Sequence, residues 1–167
     1  SERTGPVEVE GSGAYPAAGS GLWNVLLHFE AKMRYGDGVE LDYRTGPAAY
    51  VRFEGEEGWV QSTWTGGGAL KEGLTASSET LLKDAVKDTD IHLPERMDKE
   101  DFIHAIKTGE TSMADAEIGH RTCSMGQLAH IAIQTGRKLR WNPDTEHFVN
   151  DEAANTLLMR KMRGNWM

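Results

Sequence analysis

Two neighbouring stretches of this chain alternate so regularly that they fix a strand register without help from any other residue. Leu27, Phe29, Ala31 and Met33 fall on one side of the first, and His28, Glu30, Lys32 and Arg34 on the other. Residues 39–44, Val-Glu-Leu-Asp-Tyr-Arg, alternate in the same way. A period of two is the pattern of a strand buried on one face only. Gly36-Asp37-Gly38 between them is turn chemistry. A two-residue loop would set Met33 against Glu40, whereas a three-residue loop sets Tyr35 opposite Val39, Met33 opposite Leu41 and Ala31 opposite Tyr43. Only the second keeps apolar against apolar, so it is the predicted hairpin, with Gly38 at the left-handed bulge position. The same register pairs Arg34 with Glu40, Lys32 with Asp42 and Glu30 with Arg44, each contact contributing roughly 0.2–1 kcal/mol. One face of the sheet therefore packs a core and the other is a ladder of opposite charges.

Further strands are predicted at 49–54 and 58–63, joined through Gly55-Glu56-Glu57, with a short edge strand at 7–10. Together they read as a mostly antiparallel meander. Gly and Ser dominate 11–21, which reads as a loop long enough to line a site, and Gly66-Gly67-Gly68 reads as a flexible turn. The chain then changes character. Ser77 or Ser78 can cap a short helix through Val86, and Pro94 keeps 91–94 extended. Asp98 with Asp101 opens a helix carrying the apolar stripe Phe102, Ile103 and Ile106, which Gly109 ends. Ser112 with Asp115 starts a longer helix that runs to Gly136, with Ile118, Thr122, Met125, Ala129 and Ala132 at helical spacing as its buried stripe. Residues 138–141 form a short edge strand, Asn142-Pro143-Asp144 turns, and Asp151 caps a last helix through about Lys161. The expected class is α+β, a mostly antiparallel sheet with helices packed on one face. The whole of 1–167 is expected to be one domain, sheet-rich over 1–65 and helix-rich over 77–167.

A formal charge of −8, from 18 basic and 26 acidic residues, argues against binding a phosphate backbone. The short basic run Arg137, Lys138 and Arg140 with Trp141 does not change this. No apolar run approaches the ~20 residues of a membrane helix, so neither nucleic acid nor a membrane is an expected partner. The residues leave the compartment open. The cytoplasm is the default, and the periplasm follows if an upstream signal has been removed. Cys123 is the single cysteine, so no internal disulfide can form.

From Asp98 onward four short patterns follow one another: Asp101-Phe102 with Ile106, Ala114-Asp115 through Glu117-Ile118-Gly119-His120-Arg121, Gly136 to Trp141 as GRKLRW, and Asp151 through Asn155 before a terminal Trp166. In this order they resemble the DFxxxI, ADxEIGHR, GRKLRW and DxEAN signatures in the C-terminal domain of the Gfo/Idh/MocA oxidoreductases, in a bacterial subgroup. The resemblance implies an NAD(P)-dependent oxidoreductase that transfers hydride on sugars, inositols or related polyols. It further implies that NAD(P) and the acid/base lysine sit on a Rossmann domain, belonging to the same or another chain, while this domain supplies a substrate-facing wall and an oligomer surface on its sheet. The family's Glu-Lys-Pro motif is absent, and no Asp-xxx-His pair stands at the start of the sheet. The chain is thus expected to begin after the cofactor-binding elements and to be catalytically incomplete by itself. The alternative expectation is a free-standing, non-catalytic module for self-association or carbohydrate binding.

The residues themselves carry little other chemistry. Gly66-Gly67-Gly68 runs into Ala-Leu-Lys-Glu-Gly, neither a dinucleotide turn nor a phosphate loop, so no cofactor-binding residue is assigned. Six scattered histidines without HxH or HExxH spacing give no expected metal site. The resemblance implies the candidate substrate-binding residues: Glu117, His120 and Arg121 of the EIGHR signature, near the start of the long helix, and Tyr15, Trp23 and Asn24, in or just after the glycine-rich loop, since a loop of the family's sheet domain approaches the substrate. Each has a plainer reading. Glu117 and Arg121 stand at i,i+4 and can simply pair along the helix, and Trp23 can pack against the sheet. Cys123, one turn after His120, could form a Cys-His nucleophile pair but reads better as a small buried hydrophobe. An independent hydrolase built on His120 and a carboxylate is a further reading, for which the sequence shows no positioned partner.

Overall fold

The computed structural model describes residues 4–63, 74–83, 89, 96–160 and 164. The turn predicted at Gly66-Gly67-Gly68, the connector at 91–94, the helix end at Val86, Lys161 and Trp166 lie outside the described residues. The fold is α+β, as the alternating and helical segments predict. Two compact units account for it, one made of residues 1–45 and 98–167 and the other of residues 46–97.

The larger unit holds strands β1 (Glu8–Ala14), β2 (His28–Arg34), β3 (Glu40–Arg44), β7 (Leu139–Asn142) and β8 (His147–Phe148). They form one sheet in the order β3-β2-β1-β7-β8. The predicted hairpin register is the one observed: Met33 faces Leu41, Ala31 faces Tyr43, and the three charge pairs stand opposite one another. Tyr35 N–H donates to Val39 O at 2.8 Å, and Gly38 has φ +89°. A side chain at Gly38 would be strained in that left-handed conformation.

The N-terminal strand corrects the sequence reading. It runs through 8–14 and lies in the middle of the sheet, between β2 and β7. Gly11 and Gly13 belong to the strand, and packing explains them. A Cβ on Gly11 would come within 2.8 Å of Glu30 O and 2.9 Å of Ile133 Cγ1, so only glycine lets the neighbouring helix sit this close to the strand. That helix, α3 (Ala116–Thr135), lies over β1 and part of β2. Its buried side chains are Leu128, Ala129, Ile131, Ala132 and Ile133. The predicted stripe is therefore right at Ala129 and Ala132, while Ile118 is 52% exposed and Thr122 is exposed. Burial begins only where the helix meets the sheet. Val9, Ala31, Met33, Leu139, Trp141, Phe148 and Ala154 complete the core, with Trp141 edge-on to Phe148 at 4.9 Å.

Asp115 caps α3 by accepting from Ile118 N–H at 2.8 Å, and Gly136 ends it with φ +65°. Ser112 takes no part in that cap. Its hydroxyl donates to Asp101 at 2.8 Å, and Met113 N–H donates to the same carboxylate oxygen at 2.8 Å. Asp101 is buried within α2 (Asp98–Thr108) and ties that helix to the segment leading into α3, where a helix-capping role had been predicted. The stripe Phe102, Ile103 and Ile106 on α2 is present but open, at 61%, 50% and 67% exposure. The expected last helix is one turn, α4 (Glu152–Asn155). Its cap Asp151 is gripped through both oxygens by Arg137, and Asn155 trades two hydrogen bonds with the backbone of Phe148, at 2.7 and 3.1 Å. The basic run after Gly136 and the D-E-A-A-N segment are thus joined as a clasp around β8.

The smaller unit contains β4 (Tyr50–Gly55), β5 (Gly58–Thr63), β6 (Leu74–Ala76) and the short helix α1 (Thr80–Lys83). Its three strands form a separate antiparallel sheet in the order β4-β5-β6. The predicted single meander is therefore broken between β3 and β4, because alternation assigns faces within a strand and does not choose that strand's neighbour. On β4 and β5 the Arg52 guanidinium lies 4.2 Å from the centre of the Trp59 ring and bonds Glu54 at 2.8 Å.

Candidate functional site

Three of the predicted site residues come together in the larger unit. Residues 117, 120 and 121 share the first two turns of α3, and a tight turn returns the chain from β7 toward them. Asn142 Oδ1 organises that turn by accepting from Asp144 N–H at 3.0 Å and Thr145 N–H at 3.2 Å. The turn ends at Glu146, held in left-handed backbone at φ +53°. Its Oε1 accepts from His120 Nε2 at 2.6 Å and from Arg121 Nη1 at 2.9 Å. A carboxylate can only accept, so this contact puts a proton on His120 Nε2. Arg121 Nε donates to Glu117 at 2.7 Å, and Nη1 also reaches Pro143 O at 3.1 Å. The i,i+4 pair predicted from the sequence is thus present, within a wider cluster of four residues.

Glu146 is held below the usual carboxylate range, first by the hydrogen bond from His120 and then by the nearby charges of His120, Arg121 and His147, against an opposing effect of burial. Arg121 is raised above its ordinary value, first by its bond to Glu117. Both shifts favour the charged forms, so the cluster holds a fixed cation between two carboxylates. Beside it opens a cleft of about 560 Å³, lined by Tyr35, Asp115, Glu117, Arg121, Thr122 and Met125 among others. Tyr35 Oη donates to Met125 Sδ at 3.1 Å across this wall. Among the described residues no hydrogen bond reaches Arg121 Nη2, one carboxylate oxygen of Glu117 or one of Asp115. A wall that alternates cation and carboxylate can both donate to and accept from hydroxyl groups.

Tyr15 and Asn24 lie elsewhere. Tyr15 Oη stands 3.3 Å from His130 Nε2, and His130 is ten residues beyond His120, a helical rise of about 15 Å. Asn24 lines a different cleft, of about 430 Å³, with Phe29, Tyr43, His130 and Arg160. Trp23 contradicts the packed reading: it is 75% exposed, next to a fully exposed Leu22. Its loop leaves the sheet after β1 has already filled the central position. Cys123 is exposed as well, because it falls on the side of α3 turned away from β1. His120 is engaged with Glu146, and no contact joins it to Cys123.

Sequence reasoning missed Glu146 and His130. Glu146 carries no periodic signal; its one cue is the Asn142-Pro143-Asp144 turn, which must bring the following residues back along β7. Among the described residues no three His, Cys, Asp or Glu side chains converge to hold a metal ion.

The family described as the oxidoreductase family, C-terminal alpha/beta domain, of the Gfo/Idh/MocA group, matches residues 35–167. The chain belongs to the Gfo/Idh/MocA oxidoreductase family, and the matched part is its C-terminal α/β domain. Among solved structures, an aldose-aldose oxidoreductase from Caulobacter crescentus, in complex with glycerol, is similar in fold, with a TM-score of 0.57 at 13% sequence identity. The alignment takes in 81% of this chain and 41% of that one, so the chain spans less than half the length of this structural relative. A search of curated proteins returns no match.

Proposed function

We propose that this chain is the substrate-side and assembly domain of an NAD(P)-dependent oxidoreductase acting on a sugar or polyol. The cofactor sits on a Rossmann domain of the same or another chain, and the charged sheet face of the larger unit joins copies of the protein. The observation that carries the reading is the Glu117-His120-Arg121-Glu146 cluster, whose Glu117 and Arg121 face the neighbouring cleft. Cis-related hydroxyls on a polyol present paired donors and acceptors, and this wall offers the complementary set. Arg121 and Glu117, which line the cleft, would hold neighbouring substrate hydroxyls, while His120 would position Glu146, and through it Arg121, from outside that lining. The hydride chemistry belongs to the nicotinamide, and the acid/base lysine to the Rossmann domain. A sugar oxidoreductase of similar fold supports the substrate class.

Amide chemical-shift mapping of the labelled chain with millimolar myo-inositol, glucose and glycerol tests this. The expected shifts lie at residues 115–122 and 146, and they disappear in Arg121→Ala. Shifts confined to Tyr15, Asn24 and His130, or none with any polyol, would overturn the assignment. The second reading, a free-standing carbohydrate-binding or self-association module, rests on the same cleft. It predicts the same shifts without a Rossmann-domain coding sequence immediately upstream.

A further inference from the structure

The smaller unit raises a physical problem that the cleft of the larger one does not touch. Of its described residues none is buried, and two large apolar side chains of β4, Val51 and Phe53, are 58% and 71% exposed. A three-stranded sheet is at the lower limit of independent stability and gains from covering its apolar face or adding strands. Strand β4 is an edge strand, and its pairing with β5 shows which backbone groups are spare. Trp59 turns its N–H and C=O toward the β6 side, where they bond Ser77. Gly58 and Val60, one residue either way, therefore face β4 and bond Gly55 and Phe53. The N–H and C=O groups of Tyr50, Arg52 and Glu54 point outward, and no backbone hydrogen bond among the described residues reaches them.

We infer that β4 pairs, antiparallel, with β4 of a second copy of this chain, about a two-fold axis through Phe53. This register alone sets the outward-facing Arg52 opposite Glu54 of the other copy and Glu54 opposite its Arg52, as a mutually hydrogen-bonded pair of residues on each side of the axis. Phe53 then meets its own equivalent in the intervening non-hydrogen-bonded pair, where side chains approach most closely. Val51 and Phe53 lie on the same face as Val60 and Leu74, so the two apolar faces join across a six-stranded sheet. A one-residue slip would pair Arg52 with Phe53 or with Gly55 and lose both charge pairs. The strand is thus complementary to itself in one register. An isologous contact of this kind closes as a dimer and does not propagate.

The contact is short, so the dimer is expected to be weak, at tens of micromolar, and is best followed by sedimentation velocity on the full chain at about 10–300 µM. Arg52→Glu sets like charges together twice, as does Glu54→Arg, and each weakens self-association at least about fivefold. Mixing the two variants restores it, because each then faces the opposite charge on the other. Both variants have lost the bond between residues 52 and 54 of one chain, so recovery on mixing reports pairing between chains and no effect on the monomer's own fold. In a Cys123→Ser background, Phe53→Cys forms a disulfide-linked dimer under mild oxidation while Val51→Cys does not, since residue 51 faces residue 55 of the other copy. No recovery on mixing, or equal cross-linking at 51 and 53, overturns the pairing. A dimer that persists unchanged in both charge variants does so as well, and assigns assembly to the larger unit's sheet face.

Discussion

Substituting alanine at Gly11 tests the most restrictive contact in the fold, the seating of α3 on β1. The added Cβ would stand 2.8 Å from Glu30 O, 2.9 Å from Ile133 Cγ1 and 3.2 Å from Ala31 Cβ. Two of these neighbours can give way only at a cost: Glu30 O is backbone of the paired strand, and Ile133 is itself buried. Forcing a methyl into such a site costs about 1–3 kcal/mol, and alanine recovers roughly 0.5–1 kcal/mol of the conformational entropy that glycine loses in a strand. The net expectation is a loss of about 1–2 kcal/mol, which in a chain of this size lowers Tm by roughly 2–8 °C. Far-UV circular dichroism at 222 nm, dominated by α3, reads this through urea and thermal unfolding. Gly21→Ala is the control, since nothing lies within 4 Å of that Cβ and the residue's φ is not positive. It should be neutral or stabilising by up to about 1 kcal/mol. If Gly11→Ala unfolds with the wild type or later, α3 does not sit on β1 as described.

Removing the buried carboxylate with Asp101→Ala strands the Met113 N–H and the Ser112 hydroxyl and is expected to cost about 1–3 kcal/mol. Faster hydrogen exchange at Met113, ahead of the α3 core, is the readout. Leu128→Ala opens a cavity under the sheet and should cost about 2–5 kcal/mol in the same unfolding assay. The Glu146 carboxyl is depressed in the folded state below its ordinary 4.5, chiefly by the bond from His120. Its contribution is therefore full above about pH 4.5 and lost as the pH falls through the lower folded value. Glu146→Gln should flatten the stability profile in that acid window and leave it parallel to the wild type near neutrality; a profile equally steep below pH 4.5 refutes the assignment.

The hairpin was readable to the residue because two independent patterns, apolar alternation and opposite charge, agree on one register, and a slip by one would break both. Asp115 and Gly136 were readable as helix limits for a comparable reason: capping is local chemistry written at one or two positions. What failed was non-local. Gly11 and Gly13 read as loop because glycine lowers strand propensity, yet the demand for glycine comes from Ile133, 122 residues further on. The open stripe on α2 and the exposed Trp23 failed in the opposite sense, since amphipathic pattern says which face would bury and does not say what covers it. At the candidate site the α3 residues were found because they stand together in one short motif, Glu117-Ile118-Gly119-His120-Arg121, at the start of the helix. Glu146, the carboxylate that gathers two of them, was not, because a turn and a strand pairing deliver it from another part of the chain.

The left-handed backbone at Glu146 sets two demands on that position against each other. A glycine or asparagine would adopt φ +53° more readily than a glutamate does, so selection for thermostability alone should drift toward those residues. Either replacement would release His120 and leave Arg121 with Glu117 as its one ion-pair partner among the described residues. Position 146 is therefore where libraries sorted for folding and libraries sorted for ligand capture should part company, the first enriching for glycine or asparagine and the second keeping glutamate.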